Sequence, residues 1–379
     1  MNLYKSDLYI SDLDLIIEHT DVLKDMKGTS VLIVGARGMV CSAIADLLFR
    51  YNEKEDAGIH IYLAGRDDKT LLERFSKYAE SEYCTAVEFD SSKKGSLIDK
   101  LPDNISYIID GIGPSAPSDI GAHPIDSLYY NVGLLRELLE YADANKTIST
   151  LYISSSEVYG ISEKGGPFKE DDYGYIDILN PRSSYSCGKR SCETLCTCYA
   201  FDRKIKTVIA RPGHVYGPTA RPGDDHIAAQ FAIDAAHGRE LKMKSQGLQR
   251  RSYCYMLDCA SAILTILLRG NSADAYNISN PESVLTLRSM MSYIASAGGV
   301  RLSIADNDIS QYSSEALALD NTMYGSSLNA GKVSDNPMPD SSLDSDKLLS
   351  LGWRGLFDAR QGADHTIRII RQAGDKCIC

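Results

Sequence analysis

The stretch Val31-Leu-Ile-Val-Gly35-Ala-Arg37-Gly38-Met39-Val40-Cys41-Ser-Ala-Ile44 decides the fold. A short β-branched run breaks at one glycine, a second glycine follows three residues later, and the apolar positions then take helical spacing at Ile44, Leu47 and Leu48. Strand, glycine turn and helix in that order make a dinucleotide site. Gly35 allows the tight turn, Gly38 lets the backbone approach a pyrophosphate, and the helix start at Met39 and Val40 offers N–H groups and a positive dipole end. The third position of the glycine pattern is Cys41, a small thiol that still packs between helix and sheet.

Outward from this turn, short β-branched runs at 31–34, 59–64, 86–89, 107–109, 151–154 and 207–210 alternate with helical stretches. That alternation predicts an α/β fold, a Rossmann-type doubly wound parallel sheet. The second strand ends in Gly65-Arg66-Asp67, where a ribose-binding acid would ordinarily stand at the strand tip. Arg66 and Arg37 either embrace a 2′-phosphate or stack on adenine, so NAD and NADP both stay open. Asp90, at the end of the third strand, either accepts a hydrogen bond from the adenine edge or belongs to a surface turn. Residues 1–28 read as an amphipathic helical extension and residues 29–216 as the dinucleotide-binding domain. Residues 217–379 read as a smaller C-terminal α/β substrate domain. Within it the period breaks down from Gly217 to about Leu351, and 310–342, rich in Ser, Asn and Asp, reads as a loop insertion. Helical spacing returns at 343–353 and 359–370.

The chain has 379 residues, room for about two to three domains. With 44% apolar and 24% charged residues it is an ordinary folded protein, not a disordered or fibrous one. A net charge of −11 argues against a nucleic-acid partner, so any anionic ligand needs a local site. No apolar run approaches the ~20 residues of a membrane span. The first 28 residues lack the basic start and unbroken apolar core of a signal peptide, which predicts a cytoplasmic protein without a membrane partner. Ten cysteines show no paired CxxC spacing, so no metal site is expected and free thiols explain them. Cys192 and Cys196 are four apart on a predicted helix and read as small buried residues, with a shared metal as the alternative.

The reactive end begins where the fifth strand runs into Ser154-Ser155-Ser156-Glu157-Val158-Tyr159-Gly160. Tyr185-Ser-Cys-Gly-Lys189 follows, with Tyr185 30 residues after Ser155. On a helix Tyr185 and Lys189 share a face one turn apart, so the ammonium is expected to lower the phenol pKa and make Tyr185 a base. Ser155 would share the substrate hydroxyl with it. An isolated YxxxK carries little information; one spaced this way after a strand end, downstream of a nucleotide turn, is specific.

These motifs resemble the extended short-chain dehydrogenase/reductase family of nucleotide-sugar enzymes, the NAD-dependent epimerase/dehydratase family. The resemblance covers residues 29 to about 300 and again 343–371. Asn131 in Tyr-Asn131-Val-Gly is similar to the family's Asn before its fourth helix. Arg211-Pro-Gly-His214-Val-Tyr216-Gly217-Pro218 resembles R-P-x-N-V-Y-G-P, with His214 where Asn is usual. The run from Gln249 through Arg251, Tyr253 and Tyr255 to Asp258 resembles a motif whose Arg clamps the sugar's nucleotide diphosphate. That role suits Arg251, since a guanidinium binds phosphate through two hydrogen bonds, and a surface ion pair is its plainer reading. Within the family, the SSEVYG string, Lys189-Arg190, Glu193 and the loop from Gly223 through His226 to Phe231 look most like UDP-glucuronate decarboxylases. His226 stands where those enzymes have Arg. The related dTDP-glucose 4,6-dehydratases carry an Asp where this chain has Ser156, a poor general acid, while Glu157 remains available to move a proton near C5. The turn around Arg37 also resembles GDP-fucose synthases, whose acid histidine His226 would approach.

The resemblance thus implies a nucleotide-sugar substrate handled through a 4-keto sugar, with decarboxylation of UDP-glucuronate to UDP-xylose as the leading activity. 4-Epimerisation and dehydration are the alternatives, and a homodimer formed through the helix that holds Tyr185 is expected. A non-catalytic sensor that keeps the fold is the reading of another class. Ser155, Tyr185 and Lys189 speak against it, because a sensor has no need of a phenol beside an ammonium.

Overall fold

The computed structural model describes residues 2–113, 122–219, 226–305 and 339–374. Helix α1 (Asp7–Glu18) buries Tyr9, Leu13, Ile16 and Ile17, the i, i+4, i+7, i+8 stripe of a helix laid on a core. Strands and helices then alternate: β1 (Ser30–Val34), α2 (Met39–Glu55), β2 (His60–Gly65), α3 (Asp68–Arg74), β3 (Cys84–Glu88), β4 (Tyr107–Asp110), α4 (Pro124–Ala144), β5 (Ser149–Ile153), α5 (Ser184–Arg203) and β6 (Thr207–Pro212). All six expected strands are present. Their near-continuous apolar character follows from burial on both faces, as in Val31 to Val34, each with no exposure.

The chain continues through β7 (His214–Tyr216), α6 (Ile227–Ala236), β8 (Leu241–Met243), β9 (Arg250–Tyr255), α7 (Met256–Arg269), β10 (Ala275–Ile278), β11 (Val284–Thr286), α8 (Leu287–Gly298), β12 (Leu302–Ile304), α9 (Asp346–Ser350) and α10 (Ala359–Ala373). The expected breakdown of the strand–helix period into loops and short helices after Gly217 is therefore corrected. Helix α7 is buried all round from Met256 to Leu267, and even the polar Asp258, Ser261 and Thr265 on one face are covered, so its sequence marks no solvent-facing side. Strand β10 is only four residues long and hides a polar one. Asn277 is buried, and its amide donates to the carbonyls of Phe168 and Asp344, both at 2.9 Å. Of the expected insertion, 310–338 lies outside the described residues, as do Gly223 to Asp225 of the loop before His226 and the cysteines at 377 and 379.

Seven strands form one sheet in the order β10-β6-β5-β4-β1-β2-β3, every neighbouring pair parallel. The chain winds outward from β1 through β2 to β3, then crosses back to β4, so the direction of winding reverses between β1 and β4. Crevices of open α/β sheets form at the carboxyl edge of that reversal. Register fixes what meets there. Val34 pairs with Ala64 and with Asp110, which pairs with Tyr152, so Gly35, Gly65, Gly111 and Ile153 follow side by side along one edge. Two smaller sheets, β11-β9-β7 and β12-β8, are built from elements of the second half of the chain.

Candidate active site

The glycine turn has the shape its sequence demands. Gly35 adopts φ +77°, and a β-carbon there would sit 2.9 Å from the Gly111 carbonyl oxygen, so both the conformation and the space require glycine. Gly38 is the N-cap of the 17-residue α2 and supplies no capping side chain, which leaves the first turn at Met39 and Val40 open to an anionic group. These residues fit a dinucleotide pyrophosphate. Cys41 is buried with its thiol toward the Val34 carbonyl, and a β-carbon on Gly111 would fall 2.2 Å from its sulfur. The sheet thus accommodates the larger third residue by keeping residue 111 without a side chain, a compensation the sequence reading missed.

Arg66 and Arg37 are both exposed at this edge. Asp67 is spent on α3, where it N-caps the helix by accepting from Thr70 N at 3.1 Å. Asp90 is taken up by its own turn: it accepts from Ser92 N at 3.0 Å and Ser92 Oγ at 2.6 Å, with Lys93 Nζ at 3.1 Å. Those contacts hold its carboxyl down at about 2, the Ser92 hydrogen bonds acting first. Of its two readings, the turn is the one with visible partners.

The reactive residues converge on the ends of β5 and α5. Ser155 caps the turn Ser156–Tyr159, accepting from Glu157 N at 3.2 Å. Tyr185 and Lys189 are both buried on one face of α5. Burial raises the Tyr185 phenol well above its ordinary value and Glu157 adds to the rise, while a Ser155 hydrogen bond and Arg182 pull it down. The lowering expected from Lys189 is not the arrangement found. Lys189 Nζ donates to the Ile153 carbonyl at 2.8 Å and lies 4.8 Å over the Tyr152 ring, with the Tyr185 ring centre 5.7 Å away. Burial prevails because a dry site disfavours phenolate more than a cation at that distance favours it.

Glu157 is buried beside them. Its Oε1 accepts from Arg182 Nη2 at 3.2 Å and its Oε2 from Ser186 Oγ at 3.1 Å. Burial raises its pKa, against the pull of Arg182, Ser186 and His226. Sequence reasoning singled out neither Arg182 nor Ser186. Their signal was position, four residues apart, Arg182 on the turn before α5 and Ser186 in its first turn, with Tyr185 between them. The effect of His226 on Glu157 puts His226, the N-cap of α6, near the reactive edge. His214 is held well below its ordinary value by burial first, then by Arg251 and His226. Register explains this, since β7 pairs with β9 and sets His214 against Tyr253, two residues from Arg251. Asn131 is buried on α4, donating to Ser127 O at 2.5 Å, with its Oδ1 against Gly113 beyond β4.

Arg211 faces away from this cleft. Fully buried, it grips Glu193 through Nε at 2.9 Å and Nη2 at 2.6 Å and also donates to the hydroxyls of Tyr159 and Tyr173. Glu193 in turn accepts from Ser154 Oγ at 2.5 Å, so the motif arginine braces β6 to α5 directly behind Ser155. Beyond Glu193 lies a cleft of about 600 Å³ lined by Glu170, Arg190, Arg211 and Lys347, outside the reactive edge. Cys192 and Cys196 pack with Leu135, Leu139, Tyr152 and Ile209 as small core residues. Among the described residues no helix is long and apolar enough to cross a membrane.

Comparison with known proteins agrees with this geometry. The chain is 26% identical over 280 residues to UDP-glucuronic acid decarboxylase 1 of Xenopus tropicalis, covering 73% of this chain and 62% of that protein, less than two thirds of its length. It is 28% identical over 248 residues to the human dTDP-D-glucose 4,6-dehydratase, covering 64% and 62%. The solved UDP-glucose 4-epimerase of Thermotoga maritima superposes with a TM-score of 0.70 at 18% identity over 91% of this chain and 99% of that one, a likeness of fold. The model of the NAD dependent epimerase/dehydratase family matches residues 31–279, from β1 to just past β10. With the glycine turn, the reversal of the sheet and the serine, tyrosine and lysine at one edge, this match places the chain in that family.

Proposed function

We propose that the chain is an NAD-dependent enzyme that modifies a nucleotide sugar, and that its activity is the decarboxylation of UDP-glucuronate to UDP-xylose. Gly35, Arg37, Gly38, Met39, Val40 and Arg66 would hold the dinucleotide, with Asp90 beyond them at the end of β3. Asn131, His214, His226 and Arg251 would face the nucleotide sugar. NAD, when bound, would accept a hydride from the sugar C4 and give it back there at the end of the cycle, with Tyr185 returning its proton, so that UDP-xylose forms with no net oxidation. Tyr185 removes the proton of the sugar C4 hydroxyl, which Ser155 positions by a shared hydrogen bond, and Lys189 stabilises the negative charge that develops on the phenol oxygen. Once C4 is a ketone, a carboxylate at C6 is β to it, so the C5–C6 bond breaks to carbon dioxide and an enolate. Glu157 then delivers or directs a proton to C5.

The observation that carries this reading is Glu157, a buried carboxyl with a raised pKa held by Arg182 and Ser186 beside Tyr185. A buried carboxyl whose hold on its proton is strengthened is suited to protonate carbon, and Ser156 leaves no second acid for dehydration at its position. The test is incubation of the full chain with NAD and UDP-glucuronate, UDP-glucose or dTDP-glucose, with products followed by mass. Loss of carbon dioxide from UDP-glucuronate is expected. Isomerisation without mass change would make the enzyme an epimerase, and loss of water would overturn the argument from Ser156. We also propose that two copies pair through α4 and α5, where Ile125, Leu128, Tyr129 and Phe201 are exposed. Light scattering would then give twice the chain mass.

A further inference from the structure

Asp110 ends β4 at the edge where the sheet reverses, and its side chain has no exposure. Oδ1 accepts from Ile112 N at 3.1 Å, but Oδ2 has no hydrogen-bond partner. A buried carboxylate oxygen without a donor is costly and rare in a folded protein. Lys189 presents the complementary imbalance. Its ammonium has three donors, and the partners seen are the Ile153 carbonyl and the faces of the Tyr152 and Tyr185 rings, so one carbonyl is its single oxygen acceptor among the described residues. The sheet joins the two groups, because register sets Asp110 directly beside Tyr152, the residue before Ile153.

Each group feels the other's charge. Burial pushes Asp110 up to about 6 while Lys189 opposes the rise, and burial pulls Lys189 down while Asp110 opposes the fall. The other groups facing Lys189 are Cys192, Glu193 and Cys41. Glu193 is already held by Arg211 and Ser154. Cys192 is a thiol, pushed up to about 11 by burial, and Cys41 turns its thiol to the Val34 carbonyl. Asp110 in turn is faced by Tyr152, Cys192 and Cys196, groups that are neutral at pH 7. Among the described residues, Lys189 is the cation that answers it.

We propose that Asp110 is a positioning residue of the reaction: its carboxylate keeps Lys189 charged and in place beneath Tyr185, across the β4–β5 pair. The inference rests on the reading of Tyr185 and Lys189 as the reacting pair. Asp110 acts through Lys189, by supplying the counter-charge that lets an ammonium persist in a dry site.

The test is NMR of the full chain with isotopically labelled lysine side chains, the Lys189 signal being assigned through Lys189→Met. In Asp110→Asn, Lys189 should lose its proton at a pH lower by about one unit or more, and Asp110→Glu should restore it. A folded Asp110→Asn chain with an unchanged Lys189 titration overturns the proposal. If Asp110→Asn does not fold, labelled aspartate in the Lys189→Met chain gives the reciprocal measurement. Asp110 must then titrate higher than in the unaltered chain, and no change again overturns it. Turnover of UDP-glucuronate with NAD is followed alongside, and Asp110→Asn should displace its pH profile, which a merely structural residue would not do. A Lys189 titration that moves in a chain turning over no nucleotide sugar would keep the electrostatic link and sink the reaction assigned above. Turnover with an unmoved titration would do the reverse.

Discussion

Two buried acids of the same Rossmann-type fold are treated in opposite ways. Asp46, on α2 beneath the N-terminal helix, accepts from the hydroxyls of Tyr4 and Tyr9 and from Arg74, so both its oxygens are used. Asp110, at the end of β4, keeps one oxygen without a donor and answers a lysine across a strand. The first cluster ties α1 and α3 to α2 and has nothing left to offer. The second is left open at the edge where a substrate and cofactor would arrive. Saturated polar networks hold a protein together, whereas incomplete ones mark where a proton or ligand has work to do.

Substitutions at the two places should separate chemistry from stability. The largest effect is expected of Tyr185→Phe, which removes the proton acceptor. Turnover of UDP-glucuronate should fall by about 10²–10⁴-fold while the thermal midpoint stays close to that of the unaltered chain. A variant that unfolds instead would show that the reactive cluster is also structural and would erase the contrast. Next comes Arg74→Met, which strands a buried carboxylate and should cost about 3–5 kcal/mol in urea unfolding, with no displacement of the pH–rate profile.

Asp110→Asn should have the opposite sign at neutral pH. A carboxyl whose folded pKa is raised from 3.8 to about 6 favours the folded state when protonated, and that advantage is lost as pH rises through about 6. Removing its charge should therefore stabilise the chain at pH 7 to 8 by about 1–3 kcal/mol and do nothing at pH 3. Equal effects at both pH values would contradict the assignment. Gly111→Ala should destabilise by about 1–3 kcal/mol and weaken NAD binding, because its β-carbon meets the Cys41 sulfur. Cys41→Gly in the same chain should recover most of the loss by calorimetry. The smallest effect belongs to Asp90→Ala. Its exposed turn predicts a stability change within about 0.5 kcal/mol and an NAD affinity near that of the unaltered chain by titration.

Much of this was legible in the chain alone, for a physical reason. Strand, glycine turn and helix are local, so Gly35, Gly38 and the apolar spacing of α2 name their own conformation. Tyr185 and Lys189 share a face because a helix repeats every 3.6 residues. What stayed hidden was long-range. Asp110 reads as the polar end of a strand until register sets it beside Tyr152. Gly111 looks like a loop glycine until Cys41 is packed against it. Arg182 gains meaning only opposite Glu157, and β10 becomes a strand only because β6 offers an unpaired edge. Local sequence determined which elements form and which chemical groups they carry. The tertiary structure decided which of those groups face one another in a site without water, and so which charges each must bear.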